Sequence, residues 1–198
     1  MDAASMLAFE EDIAQCFERG EIQAPIHLSA GNEDQLIEIF KSVRPEDWVL
    51  VGWRSHYHCL LKGVSPEDLK RQILEGRSVS LCFEKHKILC SGIVGGIAPI
   101  AVGIASELKR RAEIGFGQTN HVWCFLGDMS AEAGVTHEAM KYAAGHGLPV
   151  KWVIEDNGLS VCSDTKESWG NTFKSPDIQR YYYELGRPHS GIGKWVRF

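Results

Sequence analysis

The chain has 198 residues, 44% hydrophobic and 24% charged, a composition that suits a water-soluble globular fold long enough to bury one real core. A formal net charge of −5 and a pI near 5.9 exclude a general nucleic-acid binder, because phosphate neutralisation needs a Lys/Arg excess on at least one face. Small anionic ligands stay open.

The first nine residues carry no basic segment ahead of an apolar run, and Glu10-Glu11-Asp12 follow at once, so no secretion signal is expected. The longest apolar run, residues 93–106, is broken by Gly and Pro and is too short to span a bilayer. The six cysteines (Cys16, Cys59, Cys82, Cys90, Cys124, Cys162) form no CxxC pair, and most sit in apolar company. They read as buried reduced thiols, which points to a cytoplasmic protein with no membrane partner.

In chain order, residues 4–19 place Met6, Leu7, Phe9, Ile13 and Phe17 at helical spacing, and Gly20 makes a stop. Asn32 is positioned to cap a second helix running to about Ser42. A turn at Arg44-Pro45-Glu46-Asp47 then precedes Trp48-Val49-Leu50-Val51, which reads as a buried strand. Ser65-Pro66-Glu67-Asp68 starts a helix, with Ser as cap, Pro in the first turn and acids facing the helix dipole. Residues 97–111 read as a largely buried helix ending in Lys109-Arg110-Arg111. A strand over 121–126, a helix over 131–146 and a strand over 150–155 complete the most regular stretch. Such a βαβ unit implies an α/β fold, a parallel sheet flanked by helices. No repeat or linker interrupts the chain, so one domain is expected over 1–198, with a helical segment to about residue 45 and the core from about 46 onward.

The first strand of that unit runs into Gly127-Asp128-Met129-Ser130 and the second into Glu155-Asp156-Asn157-Gly158-Leu159. Both polar clusters therefore fall at the C-terminal edge of the sheet, where such sheets bind ligands. An Asp carboxylate and an Asn carbonyl are the hard oxygens that Mg²⁺ prefers, with waters and phosphate oxygens completing its octahedron. The N-terminus of the intervening helix suits a phosphate. The same pair also occurs in doubly wound proteins as mere helix and turn caps.

At these residues the chain resembles the alpha subunit of thiamine-diphosphate-dependent 2-oxo acid dehydrogenases, with acetoin dehydrogenase alpha subunits as near relatives. Gly127-Asp128 and, about thirty positions on, Asn157 look like the GDG…N cofactor signature. Phe9-Glu10-Glu11, the 26–33 stretch around His27, Trp53-Arg54-Ser55-His56, Gly92-Ile93-Val94-Gly95-Gly96 and His137-Glu138-Ala139 resemble other segments of the family, in the same order. The resemblance implies a diphosphate-domain fold binding thiamine diphosphate through Mg²⁺, with Asp128, Asn157 and the Leu159 carbonyl on the metal. It also implies cofactor contacts from Trp53 and Arg54, from the backbones of Gly92 and Val94, and from Gly127, Asp128, Met129, Ser130 and Asn157. His27 and His189 fall where the family has active-site histidines.

In the family, a Glu on a separate pyrimidine-binding domain activates the cofactor, and two-chain members carry that domain on the beta chain. The resemblance therefore implies a beta-type partner, in an α₂β₂ heterotetramer, and a small-molecule carbonyl substrate. The implied reaction is decarboxylation of a 2-oxo acid with transfer of the acyl or aldehyde unit. A split transketolase-like carboligase subunit and a noncatalytic cofactor-binding scaffold are the other two readings. Met129 departs from the small residue of GDG, Ser80 stands where the family has His, and the stretch from Ser163 to Ile178 is short for what separates the signature Asn from the HGHS loop. A shortened sheet is expected.

Overall fold

The computed structural model describes residues 1–118, 120–170 and 178–197. Helix α1 (Ala3–Glu18) starts on Asp2, whose carboxylate accepts the Ser5 N–H at 2.8 Å, and buries Met6, Phe9, Ile13 and Cys16 along one face. Helix α2 (Glu33–Phe40) precedes strand β1 (Trp48–Val51), and α3 (His56–Leu61) and α4 (Pro66–Leu74) follow it. Ser65 caps α4 by accepting the Asp68 N–H at 3.1 Å, the bond that the Ser-Pro-Glu-Asp pattern predicts.

Strand β2 (Cys82–Phe83), a 3-10 turn (Glu84–His86) and β3 (Ile88–Cys90) lead into α5 (Ile97–Glu113). Strand β4 (Val122–Gly127), α6 (Asp128–Glu132), α7 (Gly134–Gly145) and β5 (Val150–Asp156) form the regular centre. A small hairpin of β6 (Leu159–Ser160) and β7 (Ser163–Asp164), then α8 (Thr165–Trp169) and β8 (Ile178–Tyr182), complete the described elements.

The main sheet has the order β2-β3-β1-β4-β5-β8, parallel throughout except for β2, which pairs antiparallel with β3. Alternate residues of the strands feed two cores. Val49, Val51, Trp123 and Phe125 face α1 to α4, whereas Leu50, Val122, Cys124 and Leu126 face α5 and α7. The strands are apolar on both faces because both are covered by helices. The chain leaves β1 for β3 on one side and returns past it to β4 on the other, so the strand order reverses between β1 and β4. In parallel α/β sheets that reversal opens a crevice at the strands' C-terminal ends.

Four expectations need correction. The helix predicted over 131–146 is two helices, broken where Ala133 turns extended (φ −65°, ψ 136°). A Cβ on Gly95 would lie 2.8 Å from Val135 Cγ1 and 3.3 Å from Ala133 Cβ, so the segment before α5 packs into this break, and the Thr136 hydroxyl donates to the Ser130 carbonyl at 2.7 Å across it. Asn32 holds the N-cap position of α2 but makes no side-chain cap bond. Its Nδ2 donates instead to Tyr181 Oη at 3.1 Å and Glu155 Oε1 at 3.4 Å, while the Glu33 carboxylate takes the Gly31 N–H.

Cysteines supply the third correction: all six are free thiols, but Cys82 and Cys162 are exposed, one on the two-residue edge strand and one in the β6–β7 turn. Finally, α3, β2, β3 and β8 were not expected from the sequence, each having six residues or fewer in which to show a period. Strand β8 extends the sheet beyond β5, although residues 171–177 of the stretch judged short lie outside the described residues. No helix among the described residues is long and apolar enough to cross a membrane.

Candidate functional site

A small cavity opens where the strand order reverses, walled by the ends of β1, β4 and β5 and by the C-terminal segment. Strand β1 delivers Trp53 and Arg54; β4 and the first turn of α6 deliver Gly127, Asp128, Met129 and Ser130; β5 delivers Asn157 and, one turn later, Leu159. His189 closes the far side. These residues, singled out in the sequence from segments far apart, line one wall or another of the same cavity.

Asp128 is 2% exposed, and its Oδ2 accepts the Thr165 hydroxyl at 2.6 Å. Burial first, and the nearby Asp156 charge, push its carboxyl above the usual carboxylate range, whereas the Thr165 and Met129 donors pull the other way. A carboxylate so placed would gain from a cation beside it. Asn157 folds back on itself, its Oδ1 accepting the Leu159 N–H at 3.0 Å, with Gly158 at φ +72° permitting the tight turn. Asp156 leaves the cavity to bind Arg180 at 2.6 Å and the Gly158 N–H at 3.0 Å.

The buried Asp128 carboxylate and the Asn157 amide oxygen belong to residues lining the same cavity, and both are hard oxygens of the kind that Mg²⁺ takes. Arg54 fits an anion only in part. Its Nε donates to the Leu28 carbonyl at 3.2 Å and its Nη2 to the His189 carbonyl at 2.7 Å, which leaves Nη1 with no bond among the described residues. Burial lowers the affinity of this guanidinium for its proton, offset by the Tyr183, Glu155 and Asp128 side of the cavity.

His27 stands behind the lining. Its ring centroid lies 5.7 Å from that of Trp53 and 5.3 Å from that of His189, and its Nδ1 is buried without a partner among the described residues. Burial, then the Arg54 charge, lowers its pKa to about 4, so it is neutral at pH 7. His189, pushed down by burial and by Arg54, makes a 3.3 Å contact from Nδ1 to that guanidinium.

Gly92 and Val94 do not line the cavity. They are exposed, beyond the end of β3, and a Cβ on Gly92 would touch Val79 at 3.3 Å, so the close approach there is to a neighbouring loop. The sequence reading gave no role to Glu155, Tyr183, Val161 or Thr165. Glu155 stood inside the quoted run but drew no role of its own; it lines the cavity and receives the Tyr181 hydroxyl. Tyr183, also on the wall, is kept protonated by burial and carries no local sequence signal.

Residues 1–174 match the model of the family described as dehydrogenase E1 component. The pyruvate dehydrogenase E1 component subunit alpha of Rickettsia bellii is 30% identical over 177 residues, covering 84% of this chain and 53% of that protein. The acetoin:2,6-dichlorophenolindophenol oxidoreductase alpha subunits of Cupriavidus necator and Bacillus subtilis are 31% and 30% identical, over 84% and 76% of this chain and 51% and 46% of their own length. The chain thus spans about half the length of the curated relatives it matches.

Proposed function

Since the chain belongs to the dehydrogenase E1 component family, we propose that it is the alpha-type half of a thiamine-diphosphate- and Mg²⁺-dependent enzyme that decarboxylates a 2-oxo acid. The observation that carries this reading is the meeting of Asp128, Asn157, Leu159 and Arg54 at one cavity, at the point where the strand order reverses. Asp128, Asn157 Oδ1 and the Leu159 carbonyl would hold the metal. Arg54 would offer Nη1 to a diphosphate oxygen, and Gly127, Met129 and Ser130 would give it their backbones; at Met129 the bulky side chain leaves the main-chain N–H in place. Trp53 would pack against the cofactor, and Gly92 and Val94, exposed beyond β3, would meet its aminopyrimidine through their backbones.

When bound, the cofactor supplies the nucleophilic carbon and the electron sink that decarboxylation requires. His27 and His189 are the chain's candidates for substrate contact. With its pKa held near 4, His27 carries one N–H donor and one acceptor at neutral pH and adds no cation beside Arg54. Its neutral ring therefore suits orienting a bound carbonyl by a hydrogen bond. The activating Glu and the pyrimidine-binding domain would come from a beta-type chain, in an α₂β₂ assembly. The six free thiols support a cytoplasmic setting, and residues 1–198 would form one cofactor domain.

The test is to copurify the chain with its partner and measure thiamine diphosphate binding with and without Mg²⁺, in wild type and Asp128→Ala. Binding that needs the metal and is lost in Asp128→Ala is expected. Equal binding in all arms would sink the reading. Decarboxylation of pyruvate and its longer homologues by the loaded complex then identifies the substrate.

A further inference from the structure

Thr165 was no part of the donor set, yet it makes the shortest side-chain contact to it. The residue is 2% exposed, and its backbone is fixed, because the Thr165 N–H donates to the Gly158 carbonyl at 3.0 Å, inside the loop between Asn157 and Leu159. Its hydroxyl donates to Asp128 Oδ2 at 2.6 Å and lies 3.0 Å from the hydroxyl of Ser160, which is 7% exposed. A hydroxyl has one proton. The carboxylate takes it, so the Ser160 hydroxyl must be the donor to Thr165 Oγ1, and the hydrogen bonds run in one direction from Ser160 through Thr165 to Asp128.

The consequence lies in which parts this chain joins. Asn157 and Leu159 flank Gly158 in the segment that leads from β5 into β6, and Asp128 opens α6; Thr165 bonds both, its N–H donating to the Gly158 carbonyl and its hydroxyl to Asp128. An aspartate rotates freely about its last torsion unless one oxygen is held, and a three-donor metal site depends on that orientation.

Resting on the metal reading above, we propose that Thr165 is a positioning residue for the divalent cation: it fixes the Asp128 carboxylate plane relative to the Asn157–Leu159 loop, with Ser160 fixing the Thr165 hydroxyl in turn. Thr165→Val keeps the shape and removes the donor, whereas Thr165→Ser keeps the donor and loses only a methyl group.

The experiment titrates Mn²⁺, followed by its free-ion electron paramagnetic resonance signal, into the copurified complex with thiamine diphosphate present. The melting temperature of each metal-free complex is measured beside it. Thr165→Val is expected to raise the half-saturating Mn²⁺ about 10-fold, the usual effect of removing a group that orients a metal ligand. Thr165→Ser should return it to within about 3-fold of wild type, and the metal-free melting temperatures should match. Wild-type Mn²⁺ affinity in Thr165→Val, with affinity lost in Asp128→Ala, would overturn the role of Thr165 and leave the metal reading standing. Wild-type affinity in Asp128→Ala would overturn both. If Thr165→Val does not fold, Ser160→Ala serves in its place, with a rise of about 3-fold expected and wild-type affinity refuting the proposal.

Discussion

The Arg54 guanidinium donates to the main-chain carbonyl of His189 at 2.7 Å, joining the end of the first sheet strand to a residue 135 positions later. The same Nη2 lies 3.3 Å from His189 Nδ1, and Nε holds the Leu28 carbonyl. One half-buried cation thus ties three separate segments across the mouth of the cavity. Around it, Arg187 pairs with Glu11 at 2.7 Å and Lys194 with Glu18 at 2.8 Å, while the Gly186 and Gly191 N–H groups donate to the Ala30 and Ile26 carbonyls. The exposed pairs add little by themselves. Arg54 is the half-buried anchor.

Arg54→Met should therefore release the C-terminal segment. Bonds to a charged donor contribute about 1.5–3 kcal/mol each, so trypsin cleavage after Lys194 should accelerate at least about 10-fold while the rest of the chain stays resistant. Cleavage at the wild-type rate would show that the contact does not hold the segment.

His27 makes a prediction about pH. Its folded pKa, about 4, lies below its ordinary value of 6.5, so between these values the unfolded chain binds a proton that the folded chain does not. Stability then rises with pH across that window and is lost as pH falls from 6.5 toward 4. As pH drops from 7.5 to 4.5 the melting temperature of wild type should fall relative to that of His27→Phe, because the variant lacks this term. Parallel curves would contradict the burial assigned to His27.

Glu10 is 1% exposed and supports two buried partners: Oε2 accepts the Ser29 N–H at 2.6 Å, and Oε1 lies 3.2 Å from Nδ1 of His56, whose Nε2 meets Ser78 at 2.9 Å. Glu10→Ala strands an amide and an imidazole in the interior. A loss of about 3 kcal/mol in urea unfolding is expected, with Glu10→Gln recovering part of it by keeping an acceptor for Ser29. A loss below about 1 kcal/mol would mean that the network is not supporting these segments.

Val161 sits at φ +63° in the β6–β7 turn, a left-handed conformation that a β-branched side chain resists. Asn tolerates that region, so Val161→Asn should stabilise the chain by about 1 kcal/mol in chemical denaturation. Destabilisation instead would mean that the half-exposed Val side chain contributes more by packing than its backbone costs.

Much of the fold was legible in the sequence because its elements announce themselves locally. Val122-Trp123-Cys124-Phe125-Leu126 and Val150 to Glu155 are apolar enough to require burial on both faces, and Ser65-Pro66 carries its cap with it. Strands of two or three residues such as β2 and β3 hold too few positions to show a period, so the sheet's far edge was not readable. The break at Ala133 was equally hidden, since what packs against it is Gly95, on a segment nearly forty residues earlier. Among the site residues, Asp128 and Asn157 stood out by residue type at the ends of recognisable strands. Glu155, Tyr183 and Thr165 did not, because an acid, a phenol or a hydroxyl acquires a role only from what lies opposite.

By itself, then, the sequence determined the alternation of strand and helix, the burial of the central strands and the residues at their C-terminal ends, since backbone periodicity and side-chain hydrophobicity are local properties. Only the tertiary structure decided that Arg54 meets His189, that Asn32 turns from its helix to Glu155, and that Thr165 reaches Asp128. Those bonds join residues 37 to 135 positions apart. Packing alone brings such groups together, in an interior where an unpaired polar atom costs more than the order needed to pair it.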